Sequence, residues 1–564
     1  MAVLLILIFV VVLLLLFFVR RRRQRAAFLG KLRSTWGQPR PPAFQTEFDR
    51  IRLYDRLKNP ERSGSLDDKT WSDLDLDLVF QYVDRTNSRV GQQFLFYLVR
   101  TPHFKKEPLL SFERAIRWFN DANLREKLQV QLHRLNHKDA LLLPYLFLEE
   151  LPQFSTYERL IFLALPIATL VAAAGAFFNT PFRILLVLLA IINMLTSLYY
   201  RRKLGFFIQP LRLLNVLINV ARRIGYQFEG SEISEQTEKL KEEVSNVFGL
   251  QRTTAVLTVD RESDDIVTVI YDYLNMVLLL DLNCYGFAVD ELRKKREHVI
   301  AIFEGLGYLD AAISVASLRQ GNTNFTTPVF LEATKRCRVT QIYHPLLASP
   351  VANDLNVNGK GILLTGSNMS GKSTFIRTVG VNAVMAQTIH TCFAREYVAP
   401  FFDVKACLGA ADSLVEGKSH YFSEVEGVRA LLTAAQSETQ CLLLLDELFR
   451  GTNTIERVAA AKAILEYMNR GDNIVLIATH DIELVDLLDR QYESHHFREI
   501  IYNQQMTFDY KLQPGTSSTR NAIAILSMFG YPKPIVAEAL RLVDELAENK
   551  SRTFGFFGLK IPRW

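Results

Sequence analysis

Residues 361–374 read Gly-Ile-Leu-Leu-Thr-Gly-Ser-Asn-Met-Ser-Gly-Lys-Ser-Thr, an apolar run broken by Gly366, four residues, then Gly371, Lys372 and Ser373. Few patterns restrict a chain as much. Glycines at these two places let backbone N–H groups close around phosphate oxygens, and a helix beginning just after them points its positive end at the same spot. Such a loop needs a buried strand before it and a helix after it. Both are legible here, the helix over residues 375–387. The pattern predicts a phosphate cradle made by Gly366, Ser367, Asn368, Met369, Ser370, Gly371, Lys372, Ser373 and Thr374. Lys372 is placed to reach β- and γ-phosphates, and the Ser373 hydroxyl to ligate Mg²⁺.

Two further apolar strands end in chemistry. Cys441-Leu-Leu-Leu-Leu-Asp446-Glu447 reads as a buried parallel strand with two carboxylates at its C-terminal end. There Asp446 can hold a Mg²⁺ water shell, leaving Glu447 to orient or deprotonate an attacking water. The strand at 474–478 runs into Thr479-His480-Asp481, which puts a histidine where it can polarise that water. A lone histidine elsewhere would more often be structural.

Composition bounds the rest. With 564 residues, 49% of them hydrophobic, the chain has material for three or four domains and too much apolar content for disorder. A net charge of +6 is too small to identify a nucleic-acid binder, because part of the excess sits beside apolar segments. The cysteines, Cys284, Cys337, Cys392, Cys407 and Cys441, show no CxxC spacing, so they read as reduced and structural. His495-His496 lacks a spaced acidic or cysteine partner and reads as solvated loop rather than metal site.

Residues 2–19 form an unbroken apolar run followed by Arg20, Arg21, Arg22, Arg23 and Arg25. The run is about long enough to span a bilayer, and it lacks the leading charge and trailing small residues of a cleavable signal. It reads as an anchor, with the arginines and the chain beyond them on the cytoplasmic side. A second pair, 160–178 and 184–200, is joined by Asn179-Thr-Pro-Phe-Arg183 and closed by Arg201, Arg202 and Lys203. Two spans with so short a turn make a hairpin that returns to its starting side. Buried helices of a soluble core are the alternative, but these runs have no polar face. The stretches on either side are amphipathic and charged, with Leu292, Val299, Ile302 and Phe303 at helical spacing around a basic run at 293–296 that reads as a solvated helix face.

Four motifs in order resemble the ATPase domain of the MutS family of DNA mismatch-repair proteins. They are Thr-Gly-Ser-Asn-Met-Ser-Gly-Lys-Ser-Thr at 365–374, Gly-Lys-Ser-His-Tyr-Phe-Ser-Glu at 417–424, Asp-Glu-Leu-Phe-Arg-Gly-Thr-Asn-Thr at 446–454 and Ala-Thr-His-Asp-Ile-Glu-Leu at 478–484. The resemblance implies ATP and Mg²⁺ as ligands, and a homodimer in which each nucleotide lies between one subunit's phosphate loop and the other's signature segment. By position Ser419 corresponds to the residue that approaches the γ-phosphate across that interface, and Asn368 to a γ-phosphate or water contact. The segment 511–525 with Gly515-Thr516-Ser517 resembles the stretch after the last ATPase strands, and the helix expected at 534–548 would mediate dimer contacts. Weaker similarity, in Asn87-Ser88-Arg89-Val90-Gly91 and around Asp310, points to the family's core and lever helices. Ser367 stands where the family usually has proline and Phe449 where it often has glycine. Between the anchor and the core-like sequence there is no room for a mismatch-reading domain.

The fold class expected is therefore an α/β P-loop ATPase domain, MutS-like with a mainly parallel sheet, preceded by an all-α lever and core region with three transmembrane helices. The divisions are anchor and basic flank 1–25, helical core 40–150, transmembrane hairpin 160–203, helical lever 204–335, ATPase 336–548 and an aromatic, basic tail 549–564. The catalytic set is Glu447, His480, Lys372 and Ser419, with Ser373 and Asp446 on the metal. The expected activity is ATP hydrolysis in a membrane-anchored dimeric switch with a cytoplasmic ATPase domain, membrane lipid as one partner and DNA as a candidate one. The competing reading is an ATP-driven membrane scaffold or mechanical protein that needs no DNA. An ABC-type transporter fits less well, since no Leu-Ser-Gly-Gly-Gln precedes Asp446.

Overall fold

The computed structural model describes residues 19–20, 22–40, 45–61, 64–230, 233–255, 273–322, 324–367, 369–409, 420–449, 453–502, 505–516, 523, 526 and 530–542. Most of the expected anchor, Asn368, Ser419 and the tail at 549–564 lie outside these residues. The chain divides into a helical unit, 1–67, 77–325 and 384–391, and a β-rich unit, 68–76, 326–383 and 392–564.

In the β-rich unit the larger sheet has six strands in the order β10-β9-β4-β8-β7-β6. These are β4 (Gly361–Thr365), β6 (Asp403–Cys407), β7 (Cys441–Asp446), β8 (Ile474–Ala478), β9 (Tyr492–Tyr502) and β10 (Gln505–Pro514). From β9 through β6 every neighbouring pair is parallel, and β10 closes one edge antiparallel to β9. The expectation of a mainly parallel sheet holds. Every residue of β4, β7 and β8 is buried, which is why these strands read as continuous apolar runs instead of alternating ones. A smaller sheet joins β1 (Val329–Phe330), β5 (Glu396–Ala399), β2 (Arg336–Ile342) and β3 (Asn353–Asn358) in that order. Because β1 pairs with β5, the stretch of this unit that carries its strands begins at Thr326, ahead of the expected 336. His495 and His496 were expected in a solvated loop. They sit instead in β9, in register with Leu364 and Thr365, because β9 extends the buried parallel sheet.

In the helical unit, α1 (Arg89–Arg100) packs against α4 (Arg296–Gln320). The contact is tight because glycines face it. A Cβ on Gly91 would stand 2.2 Å from Asp310 Oδ2, and one on Gly307 2.4 Å from Phe94 Cβ. Asp310 is fully buried and accepts from the Asn87 and Ser88 amides, both at 2.8 Å, and from the Ser88 hydroxyl at 2.6 Å. Ser88 in turn caps α1 by accepting from the Gly91 amide. The basic run at 293–296 is a junction between two helices and not one solvated face. A helix ends at Lys294, α4 starts at Arg296, and Arg296 donates to the Phe147 and Leu148 carbonyls.

The apolar pair forms two helices, α2 (Thr156–Gly175), opened by a capping box of Ser155 and Glu158, and α3 (Thr180–Gln227). Both are long and apolar enough to cross a membrane, and their apolar windows are only 17% and 11% buried. Between them Asn193 Nδ2 donates to the Thr169 hydroxyl at 2.9 Å. The end expected at Arg201-Arg202-Lys203 is absent, and α3 runs on for 48 residues in all. Arg201 is held in the helix by Asp281, which also takes Arg212. Helix α4 is also long and apolar enough to span, but its window is 78% buried, so its apolar surface is already covered by protein.

Candidate active site

Strand β4 delivers the chain to Gly366, whose φ of +137° and whose neighbour exclude a side chain, since a Cβ would lie 2.6 Å from the Phe497 carbonyl oxygen. Gly371, at φ +110°, turns the loop into α5 (Lys372–Thr388). The helix starts three residues earlier than expected, with its first turn facing the loop. Lys372 is buried, and its Nζ donates to the Gly366 and Ser367 carbonyls at 2.9 Å each. Ser367 and Ser370 have buried hydroxyls with no hydrogen-bond partner among the described residues. The Met369 side chain is exposed, so this position contributes backbone only.

Neighbouring strands supply the other groups. Strand β7 ends at Asp446, which is 8% exposed. Glu447 follows at φ +53°, with its amide donating to the Ala478 carbonyl at the end of β8. Left-handed backbone on a non-glycine residue costs on the order of 1–3 kcal/mol and gathers at functional sites. On the next strand, Thr479 donates its amide to Leu364, Asp481 is held by Arg457 at 2.6 Å, and His480 between them is fixed in direction. His480 Nε2 stands 2.9 Å from Glu447 Oε1 and 3.5 Å from Lys372 Nζ. Lysine from the start of α5 and histidine and glutamate from just beyond β8 and β7 thus lie in one line.

These groups open onto a cavity of about 1010 Å³ lined by Lys372, Ser373, Thr374, Asp446, Glu447 and His480. The structure brings together the expected metal pair and three of the four expected catalytic residues. Ser419 lies outside the described residues, as does Asn368. The sequence reading missed the cavity's far wall, where Tyr343, His344, Arg377 and Tyr510 also line it. Burial pushes the His344 imidazole below its ordinary value, which favours the neutral ring. Tyr510 is aimed by an irregularity in the β9–β10 register between Phe508 and Leu512, held by Asn353, which donates to the Tyr510 carbonyl at 3.0 Å. No sequence signal marks such a bulge. The five cysteines are free, and burial pushes the Cys441 thiol up to about 11, as expected of structural thiols.

Residues 362–547 match the family described as MutS domain V. Over this stretch the chain carries a domain of the MutS family. It is 32% identical over 267 residues to the DNA mismatch repair protein MutS of Thermus thermophilus, covering 46% of this chain and 32% of that one. Against the MutS of Thermotoga maritima it is 29% identical over 296 residues, 50% and 37% of the two chains. Against that of Listeria monocytogenes it is 31% identical over 280 residues, 47% and 32%. The match spans about a third of the length of these MutS relatives. The family match at 362–547 includes the phosphate loop and the ends of β7 and β8.

Proposed function

We propose that this chain is a Mg²⁺-dependent ATPase that works as a dimeric switch tethered to a membrane and acts on DNA. The observation that carries the hydrolytic reading is the Lys372–His480–Glu447 line opening onto the cavity beside Asp446. In the cycle, Lys372 gives up two neutral carbonyls for the β- and γ-phosphoryl oxygens, a stronger charge-assisted contact. The Ser367 and Ser370 hydroxyls and the loop amides take further oxygens. Aromatic Tyr343 and Tyr510 offer faces for a flat base. His480 sets its Nε2 beside one oxygen of Glu447 and leaves the other to hold a water in line. Because phosphoryl transfer is mostly positioning and charge stabilisation, these fixed directions supply most of the catalysis.

The residues present suit Mg²⁺. The Ser373 hydroxyl and Asp446 carboxylate are hard oxygen donors on one cavity, and among the described residues no group of three or more His, Cys, Asp or Glu forms a metal cage. That is the arrangement of an ion taking most of its ligands from phosphate and water. Bound there, it would neutralise charge on the β- and γ-phosphoryl oxygens.

The MutS domain supports the dimer, with Ser419 crossing to the partner's nucleotide, and supports DNA as the object of the switch. The exposed apolar faces of α2 and α3 support the tether. They also favour a second reading, a membrane scaffold or mechanical protein that drives the hairpin without DNA. Phosphate release by the purified chain, with no DNA, homoduplex and mismatched duplex, separates the two. DNA stimulation of several-fold supports the first, and equal rates the second. Glu447→Ala and Lys372→Ala should each lose at least about 100-fold in rate. An active Glu447→Ala chain would remove this glutamate from the mechanism.

A further inference from the structure

The apolar hairpin has a polar centre. Thr169 is the one polar residue between 160 and 178, nine positions from either end, and Asn193 stands near the middle of 184–200. Asn193 is fully buried, although only 11% of the apolar window of α3 is. Besides its bond to Thr169, its Nδ2 donates to the Val277 carbonyl at 2.6 Å. A third segment of chain therefore lies against the hairpin at its middle, about 13 Å from the end at Leu160.

That segment is a broken helix. Residues 273–278 are helical, the chain turns at Leu279 with φ +50°, and a new helix, Leu280–Lys294, begins at once. In an unbroken helix the Val277 carbonyl would accept from the Asp281 amide. Here each has an asparagine side chain, Asn193 on the carbonyl and Asn275 on the amide, whose Oδ1 accepts at 2.8 Å. Asn275 and Leu279 are each 1% exposed. At a wet surface water would serve both backbone groups, whereas inside a bilayer only protein can. The helix that follows keeps step with α2. Asn283 Nδ2 donates to the Phe162 carbonyl at 2.8 Å, and the Tyr285 hydroxyl to the Pro152 carbonyl at 2.9 Å. It thus runs antiparallel to α2, from the middle of the hairpin out to its base.

We propose that residues 273–279 are a re-entrant membrane element, which enters the hydrocarbon beside the hairpin to about its mid-depth, is held there by Asn193, and presents Leu274 to lipid acyl chains. The inference rests on the reading of α2 and α3 as membrane-crossing. Tyr-Leu-Asn-Met-Val-Leu-Leu at 273–279 is apolar apart from the buried Asn275 and too short to cross a bilayer. Leu274 is 50% exposed, and at that depth an apolar side chain gains by meeting hydrocarbon. Since the next helix ends at Lys294 and α4 begins at Arg296, this element joins the bilayer to the helix that packs against α1.

The test is fluorescence quenching on the full chain in phosphatidylcholine vesicles. Cys284 and Cys407 are replaced by alanine, the other three cysteines being buried, and one fluorophore is attached at Leu274→Cys, Leu188→Cys or Lys239→Cys. All three side chains are exposed, so labelling leaves the packing intact. A lipid with a nitroxide at mid-chain should quench positions 274 and 188 at least threefold more than 239, and aqueous iodide should do the reverse. Asn193→Leu, which cuts the tie to Val277 without adding charge, should lower lipid quenching at 274 at least twofold and leave 188 unchanged. Iodide quenching at 274 equal to that at 239, with 188 still reached from lipid, overturns the proposal and spares the hairpin reading. Iodide quenching at 188 as well removes both. Position 274 shielded from both quenchers means that protein covers it, and overturns the proposal. Unchanged quenching at 274 in Asn193→Leu overturns the role of Asn193 in holding the segment.

Discussion

Phe449 is a bulky side chain on backbone that favours glycine, at φ +59°, and it is 6% exposed in the core beneath β7. Two effects compete there. Phe449→Gly would relieve about 1–2 kcal/mol of left-handed strain but remove an aromatic ring worth about 3–5 kcal/mol of packing. Packing wins, so the variant should unfold at lower temperature by calorimetry, with a net loss of roughly 2 kcal/mol. Glu113 gives a pH prediction. Burial alone would raise its pKa, but His390, Arg319 and Arg117 outweigh burial and hold it at about 2, against an ordinary 4.5. A depressed carboxylate contributes stability that is complete above about pH 4.5 and lost as pH falls towards 2. Wild type should therefore lose urea resistance between pH 5 and pH 3 relative to Glu113→Gln, by about 1 kcal/mol after allowing for solvent screening. At this scale legibility was uneven. Lys372, Asp446, Glu447 and His480 sit at fixed offsets from apolar strands, and spacing alone exposes them. Tyr510 and Arg377 owe their places to a bulge and a helix face, neither of which leaves a local pattern.

Among the elements, α1 and α4 meet at a carboxylate that does a helix terminus's work. Asp310 satisfies the Asn87 and Ser88 donors that begin α1, so Asp310→Ala would strand buried amides and should cost about 3–5 kcal/mol. Circular dichroism melting is the measurement, and an unchanged midpoint would show that water replaces the carboxylate without loss. The sequence identified Asn87–Gly91 and Asp310 only through resemblance. Contact between segments more than 200 residues apart has no periodicity to betray it. The strands were easier, because fully buried parallel strands are unbroken apolar runs. Helix α3 was harder. Basic residues at 201–203 look like a membrane boundary, yet charge does not end a helix, and Pro210 lies within this one. Backbone hydrogen bonding continues wherever the side chains find partners, as Arg201 and Arg212 do at Asp281.

For the molecule entire, the tether is the reading most open to a direct test. Leu188 and Leu195 on α3 are 52% and 58% exposed. Lysine at either place would cost about 2.5–3.5 kcal/mol if it faced lipid near the bilayer centre. A chain starting at residue 26 should stay with sedimented membranes after alkaline carbonate washing, and Leu188→Lys with Leu195→Lys should release it. Retention of the double variant would mean that those leucines do not face lipid. Order along the chain was legible at this scale, apolar hairpin first and phosphate loop later. The interleaving was not, since 68–76 belongs with the β-rich unit and 384–391 with the helical one, and only pairing in three dimensions reveals such exchanges. The unbroken course of α3 also sets a ratio of movements. Beyond Tyr200 the rod extends for about 40 Å at 1.5 Å per residue, so leaning its apolar half by about 10° sweeps the opposite tip through about 7 Å. Asn219 and Arg222 ride near that tip, with Gln251 fastened to Asn219 at 2.8 Å, so a pivot too slight to disturb the hairpin's own packing arrives there as a displacement longer than a side-chain bond network can stretch.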